Sequence, residues 1–82
     1  MKKLEYNGQR NICGERVRME RIARRITQNR LAAKMQTRGV DIEQDAISRI
    51  ESGDRLVTDY ELRAFAAIFD TTIESLLEPE GQ

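Results

Sequence analysis

Four polar side chains in the middle of the chain have the types and spacing needed to contact the edges of DNA bases. Gln44, Asp45, Ser48 and Arg49 follow i, i+1, i+4, i+5 spacing, which places them on one face of a helix. A glutamine amide can bond adenine N6 and N7 together, and an arginine guanidinium can bond guanine O6 and N7. The aspartate could accept from cytosine N4, or it could serve only to cap the helix. The alternative for the whole set is a solvated polar face.

Residues suited to enzymatic chemistry are scarce in this chain. It has no histidine, a single cysteine at Cys13 and no glycine-rich phosphate loop. Nucleophile–base pairs and the usual zinc sites therefore cannot be assembled in the ordinary way. The carboxylates lie at predicted helix starts, where capping explains them. We expect a protein that is not an enzyme and binds no cofactor or metal, with Cys13 as a small packing residue.

The charges are segregated along the chain although they sum to zero. Residues 1–38 hold eleven Lys and Arg against three Glu, a net of +8, and residues 39–82 have a net of −8. A basic half favours a polyanionic partner. Alternatively, folding interleaves the halves and leaves ordinary ion pairs and solvated faces.

Length and hydropathy indicate one small domain. A chain of 82 residues buries roughly 60% of its unfolded surface and is stable by only a few kcal/mol. No apolar run approaches the roughly 20 residues of a membrane span, and no signal-peptide apolar segment follows Lys2-Lys3. We therefore expect a cytoplasmic protein without a membrane partner.

The first predicted helix spans about residues 14–24. Its apolar residues fall on two adjacent sides, one with Ile12, Met19 and Ile22 and the other with Cys13 and Val17. Such a wide apolar sector is typical of a helix packed on two neighbours.

The next two helices are delimited by cap residues. Thr27 is the predicted N-cap of helix 2, and Gly39 is its C-terminal stop. Helix 3 is expected over residues 44–51, with Gly53 ending it. Val40 and Ile42, in the connecting turn, are expected to plug the core.

Two similar signals open the last two helices. Thr58 and Glu61 form a predicted capping box for helix 4, whose core face carries Leu62, Phe65, Ala66 and Phe69. The stretch Thr71-Thr72-Ile73-Glu74 repeats the device and opens a short helix 5 that Pro79 stops. We predict an all-α bundle of five helices over residues 12–78.

The two ends of the chain are predicted tails, residues 1–11 and 79–82. The first is expected to be frayed. Its alternative role is a basic arm laid on DNA through Lys2, Lys3 and Arg10.

The order and spacing of several short motifs resemble those of the phage-repressor, or Cro/Xre-type, helix-turn-helix family. The similarity covers about residues 11–77. It rests on Arg21-Ile22, Ile26-Thr27-Gln28, Leu31-Ala32, Ile47-Ser48-Arg49-Ile50-Glu51-Ser52-Gly53 and Phe69-Asp70-Thr71-Thr72-Ile73-Glu74-Ser75-Leu76-Leu77. The resemblance implies a lambda-repressor-like bundle, with helix 3 in the major groove of double-stranded DNA and helix 2 across the backbone. It also implies a homodimer on two half-sites.

The resemblance assigns roles to individual positions. It implies that Gln44, Asp45 and Arg49 read base edges, and Ser48 shares their face. The start of helix 2, Thr27 and Gln28, is expected to contact the DNA backbone, as is Arg55 after Gly53. Arg21 and Glu51 are expected to form a partly buried ion pair that ties helix 1 to the end of helix 3.

Three features depart from the family pattern. The connection between residues 31 and 42 is about five residues longer than usual, which predicts a longer helix 2 and an extended turn. Asp41, Glu43 and Asp45 surround the start of helix 3 with carboxylates that would repel phosphate. Arg25 stands where glycine is frequent, and a left-handed conformation there would cost on the order of 1 kcal/mol.

The leading hypothesis is a sequence-specific DNA-binding transcriptional regulator, acting as a homodimer and without a small-molecule effector domain. The alternative is a protein-interaction module of the same fold that lacks specific DNA binding. The helix 5 residues, with Phe69, are expected either to complete the core or to form a dimer seam.

Overall fold

The computed structural model of the protein describes residues 4–78, so the predictions for Lys2, Lys3, Pro79 and the C-terminal tail lie outside the described residues. These residues form an all-helical bundle, as the sequence predicted. The helices are α1 (Gly14–Ala23), α2 (Gln28–Thr37), α3 (Gln44–Glu51), α4 (Asp59–Phe69) and α5 (Ile73–Leu77). No helix among these residues is long and apolar enough to cross a membrane.

Hydroxyl side chains cap three of the helices. Thr27 accepts from the Arg30 backbone N–H at the start of α2. Thr58 and Glu61 form the predicted capping box of α4, each satisfying a backbone N–H of the other residue. For α5 the cap is Thr72, which accepts from the Ser75 N–H. The cap therefore lies one residue later than the box expected from Thr71 to Glu74.

The core lies between α2, α3 and α4 and is closed by α1 and α5. Its largest fully buried side chains are Phe65, Phe69, Leu31, Met35, Ile47, Ile50, Leu76 and Val17. Val40 and Ile42 are buried in the turn as predicted, at 8% and 2% exposure. Cys13 is also buried, and burial raises the pKa of its thiol to about 11.

The prediction for the apolar side of α1 was wrong. Ile12, Met19 and Ile22 are about half exposed, whereas Val17 is fully buried. The reason is the close approach of α1 to α3: a Cβ on Gly14 would lie 2.1 Å from the Ile50 carbonyl oxygen. That contact sets which side of α1 faces the bundle, and it leaves the other apolar side in solvent.

Part of the segment expected to be a frayed tail is held against the bundle. The Asn11 amide donates to the carbonyl oxygens of Ile50 (3.0 Å) and Arg55 (2.8 Å), and the Arg10 N–H donates to the Gly53 oxygen (2.8 Å). These carbonyls belong to the end of α3 and the loop after it, where free acceptors are available. The segment before α1 therefore braces the C-terminal end of α3.

Two backbone predictions concern residues with left-handed conformations. Gly39 ends α2 with φ +82°, a value that glycine adopts without a Cβ penalty. Arg25, between α1 and α2, has φ +58° and so carries the strain that its position implied. Residues 38–43 form the connection between α2 and α3.

Candidate nucleic-acid interface

The outward face of α3 presents the four residues that the sequence singled out. Gln44, Asp45, Ser48 and Arg49 are all exposed, because α3 turns Ile47 and its other apolar residues toward the core. Within residues 4–78, the side chains of Asp45, Ser48 and Arg49 make no hydrogen bond or ion pair. These three groups are therefore available to a ligand without breaking an internal bond.

Arg21 and Glu51 tie α1 to the end of α3. The guanidinium Nε lies 2.7 Å from one Glu51 oxygen, and a terminal nitrogen lies 3.1 Å from the other. Only 3% of the Glu51 side chain is exposed. The hydrogen bond to Glu51 raises the pKa of the Arg21 guanidinium, which also donates to the Ile26 carbonyl at 2.9 Å. The pair therefore fixes both the end of α3 and the turn that precedes α2.

A chain of side-chain hydrogen bonds runs from this ion pair to the exposed face. The Gln28 amide nitrogen donates to Glu51 Oε1 at 3.0 Å. The Gln44 amide nitrogen in turn donates to Gln28 Oε1 at 2.8 Å. The first turn of α2 is thereby bonded to both ends of α3. Sequence reasoning named all three residues but not their connection, because they lie far apart in the chain.

The loop after α3 gives Arg55 a partner inside the protein. Its two terminal nitrogens lie 3.0 and 3.2 Å from the Glu61 carboxylate oxygens, and one also donates to the Leu56 carbonyl. Burial acts to raise the pKa of Glu61, but the hydrogen bonds from Arg55 and the Thr58 N–H outweigh it, and the pKa is lowered. The structure thus gives Arg55 the task of joining this loop to α4.

Carboxylates surround the start of α3. Asp41, Glu43 and Asp45 are exposed, and Glu43 occupies the N-cap position without a side-chain cap hydrogen bond. Asp45 makes no capping bond either. Hydrogen-bonded capping therefore does not account for these acids, although their charges favour the positive end of the helix dipole.

Two cations beside the start of α2 escaped the sequence reasoning. Arg25 and Arg30 are exposed and line one shallow depression, of about 410 Å³, together with Ile26, Thr27 and Lys34. Neither arginine has an ion-pair partner within the part of the chain that the structure describes. The excess of Arg in the first half was the signal that could have indicated them.

Two helices joined by a turn, the first abutting the second and the second open to solvent along its polar side, define a helix-turn-helix protein. A helix-turn-helix family model of the Cro/C1 type matches residues 17–76. The chain belongs to this family, whose members are DNA-binding transcription regulators. No curated protein and no solved structure gives a significant match.

Proposed function

We propose that the protein is a sequence-specific DNA-binding transcriptional regulator that inserts α3 into the major groove. The observation that carries the proposal is the exposed, unpartnered set Asp45, Ser48 and Arg49 beside Gln44, on a helix held rigidly from behind. The width of the major groove admits one α-helix, and base edges there differ in their donors and acceptors. Arg49 suits a guanine, Gln44 an adenine and Asp45 the N4 amino group of a cytosine.

The start of α2 supplies the contacts that fix the position of the protein on the duplex. Its backbone N–H groups and helix dipole favour a phosphate beside Thr27 and Gln28. Arg25 and Arg30 flank this point and add positive charge. Arg55, whose guanidinium is bonded to Glu61, remains a predicted phosphate contact of the loop. Phosphate contacts of this kind set register and orientation, and base contacts supply specificity.

An exposed apolar surface offers a seam for a second copy. Ile12, Leu56 and Leu77 are 50%, 46% and 39% exposed, and Ile12 and Leu77 line a recess of about 190 Å³ with Val57 and Leu62. Phe69 is fully buried and belongs to the core, so it is not part of this seam. Burying these side chains between two copies would stabilise a small domain and place two α3 helices on two half-sites.

The acidic start of α3 favours the second candidate, a protein-interaction module of the same fold. Asp41, Glu43 and Asp45 stand at the end of α3 that family members bring to DNA, and like charges there oppose phosphate. Such a module would bind a basic protein surface and leave DNA unbound.

The test is selection of duplexes from a random pool, followed by mobility-shift titration of the selected site. We expect Arg49→Ala to weaken binding by about 1–3 kcal/mol, because a bidentate guanine contact is lost. The matched control is Arg63→Ala, which removes the same charge from an exposed position on α4 and should have a much smaller effect. Failure to select any duplex at low salt would favour the interaction module.

A further inference from the structure

The Arg21–Glu51 ion pair has an unshared position that bears on recognition as well as on folding. Glu51 Oε1 accepts from Gln28 in addition to its bonds with Arg21. An ionised carboxylate can only accept, so the Gln28 side chain must turn its NH₂ group toward Glu51. Its carbonyl oxygen then points the other way, toward the start of α3.

The same logic passes one residue further. Because Gln28 presents an oxygen, Gln44 must turn its own NH₂ group inward, and the observed 2.8 Å bond has this polarity. One N–H of that group is consumed. What Gln44 offers outward is its amide oxygen together with the remaining N–H, an acceptor beside a donor.

We propose that Glu51 and Gln28 are positioning residues that set the amide polarity of Gln44 and so make it selective for adenine. Adenine presents an N6 donor beside the N7 acceptor, which matches an outward oxygen and N–H. Guanine presents two acceptors, N7 and O6, and leaves the outward oxygen without a donor. The inference rests on the proposed function, because it assumes that Gln44 meets a base edge.

The burial of Glu51 gives the device its rigidity. Its side chain is 3% exposed and held by two nitrogens of Arg21, so its oxygens cannot rotate to serve another donor. A free glutamine amide flips easily and could meet guanine with its NH₂ group. A fixed amide is also ordered before binding, which lowers the entropic cost of the contact.

The free protein provides the first arm of the test. In ¹H–¹⁵N spectra without DNA, the side-chain NH₂ groups of Gln28 and Gln44 should be dispersed, protected from solvent exchange and linked by NOEs. Gln28→Met keeps the length of the side chain but accepts no hydrogen bond, so the Gln44 signal should move to the position of a solvated amide. A Gln44 signal that is already solvent-like in the wild type, or that is unchanged in Gln28→Met, overturns the inference without bearing on DNA binding.

Base preference provides the second arm. In the wild type, selected sites should show an adenine at one position of each half-site, with discrimination of about tenfold over guanine, the range that one bidentate pair provides. Gln28→Met should reduce that ratio to below about threefold while Arg49 still selects its base, and Gln44→Met should abolish the preference at the same position.

Glu51→Gln gives the sharpest comparison. It replaces an acceptor-only group by one that can also donate, so the adenine preference should fall although Gln28 and Gln44 are unchanged. Thermal melting reports whether this variant is folded, and Gln28→Met carries the test if it is not. An adenine preference that survives Gln28→Met overturns the inference while leaving the proposed function intact. Absence of DNA binding by the wild type removes both.

Discussion

Side chains that bond inward and side chains that remain free divide the labour at the level of single residues. Arg21, Gln28 and Glu51 are bonded to one another or to a neighbouring carbonyl, and they determine where α3 lies. Asp45 and Arg49, in contrast, are exposed and have no internal partner in the described part of the chain. A reading face needs both kinds, since a contact made by a mobile support loses its selectivity.

Arg21→Ala tests the supporting kind. The substitution leaves the Glu51 carboxylate nearly buried without its counter-charge, and breaking such a pair costs about 3–5 kcal/mol. In a domain stable by only a few kcal/mol, we expect most of the cooperative unfolding transition to be lost. Urea denaturation followed by circular dichroism measures it. A midpoint within error of the wild type would show that the pair contributes nothing to the fold.

Glu61 links stability to pH. Its pKa is lowered from its usual 4.5, so the folded protein holds this proton less tightly than the unfolded chain does. The contribution is therefore fully present above pH 4.5 and is lost as the pH falls through the lower folded value. We expect the urea midpoint to fall between about pH 5 and pH 3.

The control for this pH dependence is Glu61→Gln, which cannot ionise. Its midpoint should be lower than that of the wild type at neutral pH and should decline less on acidification. An equal decline in both proteins would assign the pH effect to other carboxylates.

At the scale of the elements, the contact between α1 and α3 decides the shape of the support. A Cβ on Gly14 would meet the Ile50 carbonyl oxygen and the Asn11 side chain, so Gly14→Ala must push α1 away from α3. Forced overpacking of this kind costs about 1–3 kcal/mol. Gly39→Ala is the matched control, because no atom lies within 4 Å of its Cβ and only its positive φ is unfavourable, at about 1 kcal/mol.

The two glycine variants differ in a second measurable way. Gly14→Ala should alter the chemical shifts of α3 residues, since the helix behind them moves, whereas Gly39→Ala should change stability with little effect on α3. Equal shifts in α3 for both variants would contradict the role assigned to Gly14.

Local signals in the sequence were enough to find the elements. Thr27, Thr58 and Gly39 act on their own helix ends, so their effects could be predicted from neighbouring residues alone. The buried side of α1 could not, because its two apolar sides were both plausible until the position of α3 was known. The bonds from Gln28 to Glu51 and from Gln44 to Gln28 span 23 and 16 residues, and only the folded chain brings them together.

For the whole molecule, folding does not erase the charge segregation of the chain. Arg21–Glu51 joins the basic and acidic halves, whereas the other ion pairs given for residues 4–78 stay within one half: Arg16–Glu20, Arg24–Glu20 and Arg55–Glu61. Arg25 and Arg30 remain exposed beside α2. The basic surface that the sequence suggested therefore persists at the start of α2.

This surface makes a prediction about salt. Affinity for the selected duplex should fall linearly in log–log form as salt rises, because each phosphate contact releases condensed counterions. Arg30→Ala should weaken binding to all duplexes alike and reduce the slope by about 1. Titrations at several salt concentrations measure both effects. A slope that Arg30→Ala leaves unchanged would remove this residue from the phosphate-contacting surface.

The most direct measurement is a ¹H–¹⁵N titration of the protein with its selected duplex. The account predicts that the largest shifts fall on Gln44, Asp45, Ser48 and Arg49 and on the first turn of α2, while Arg63 on α4 changes little. Shifts confined to other helices, or the failure of any duplex to perturb α3, would contradict the claim that its exposed face enters DNA.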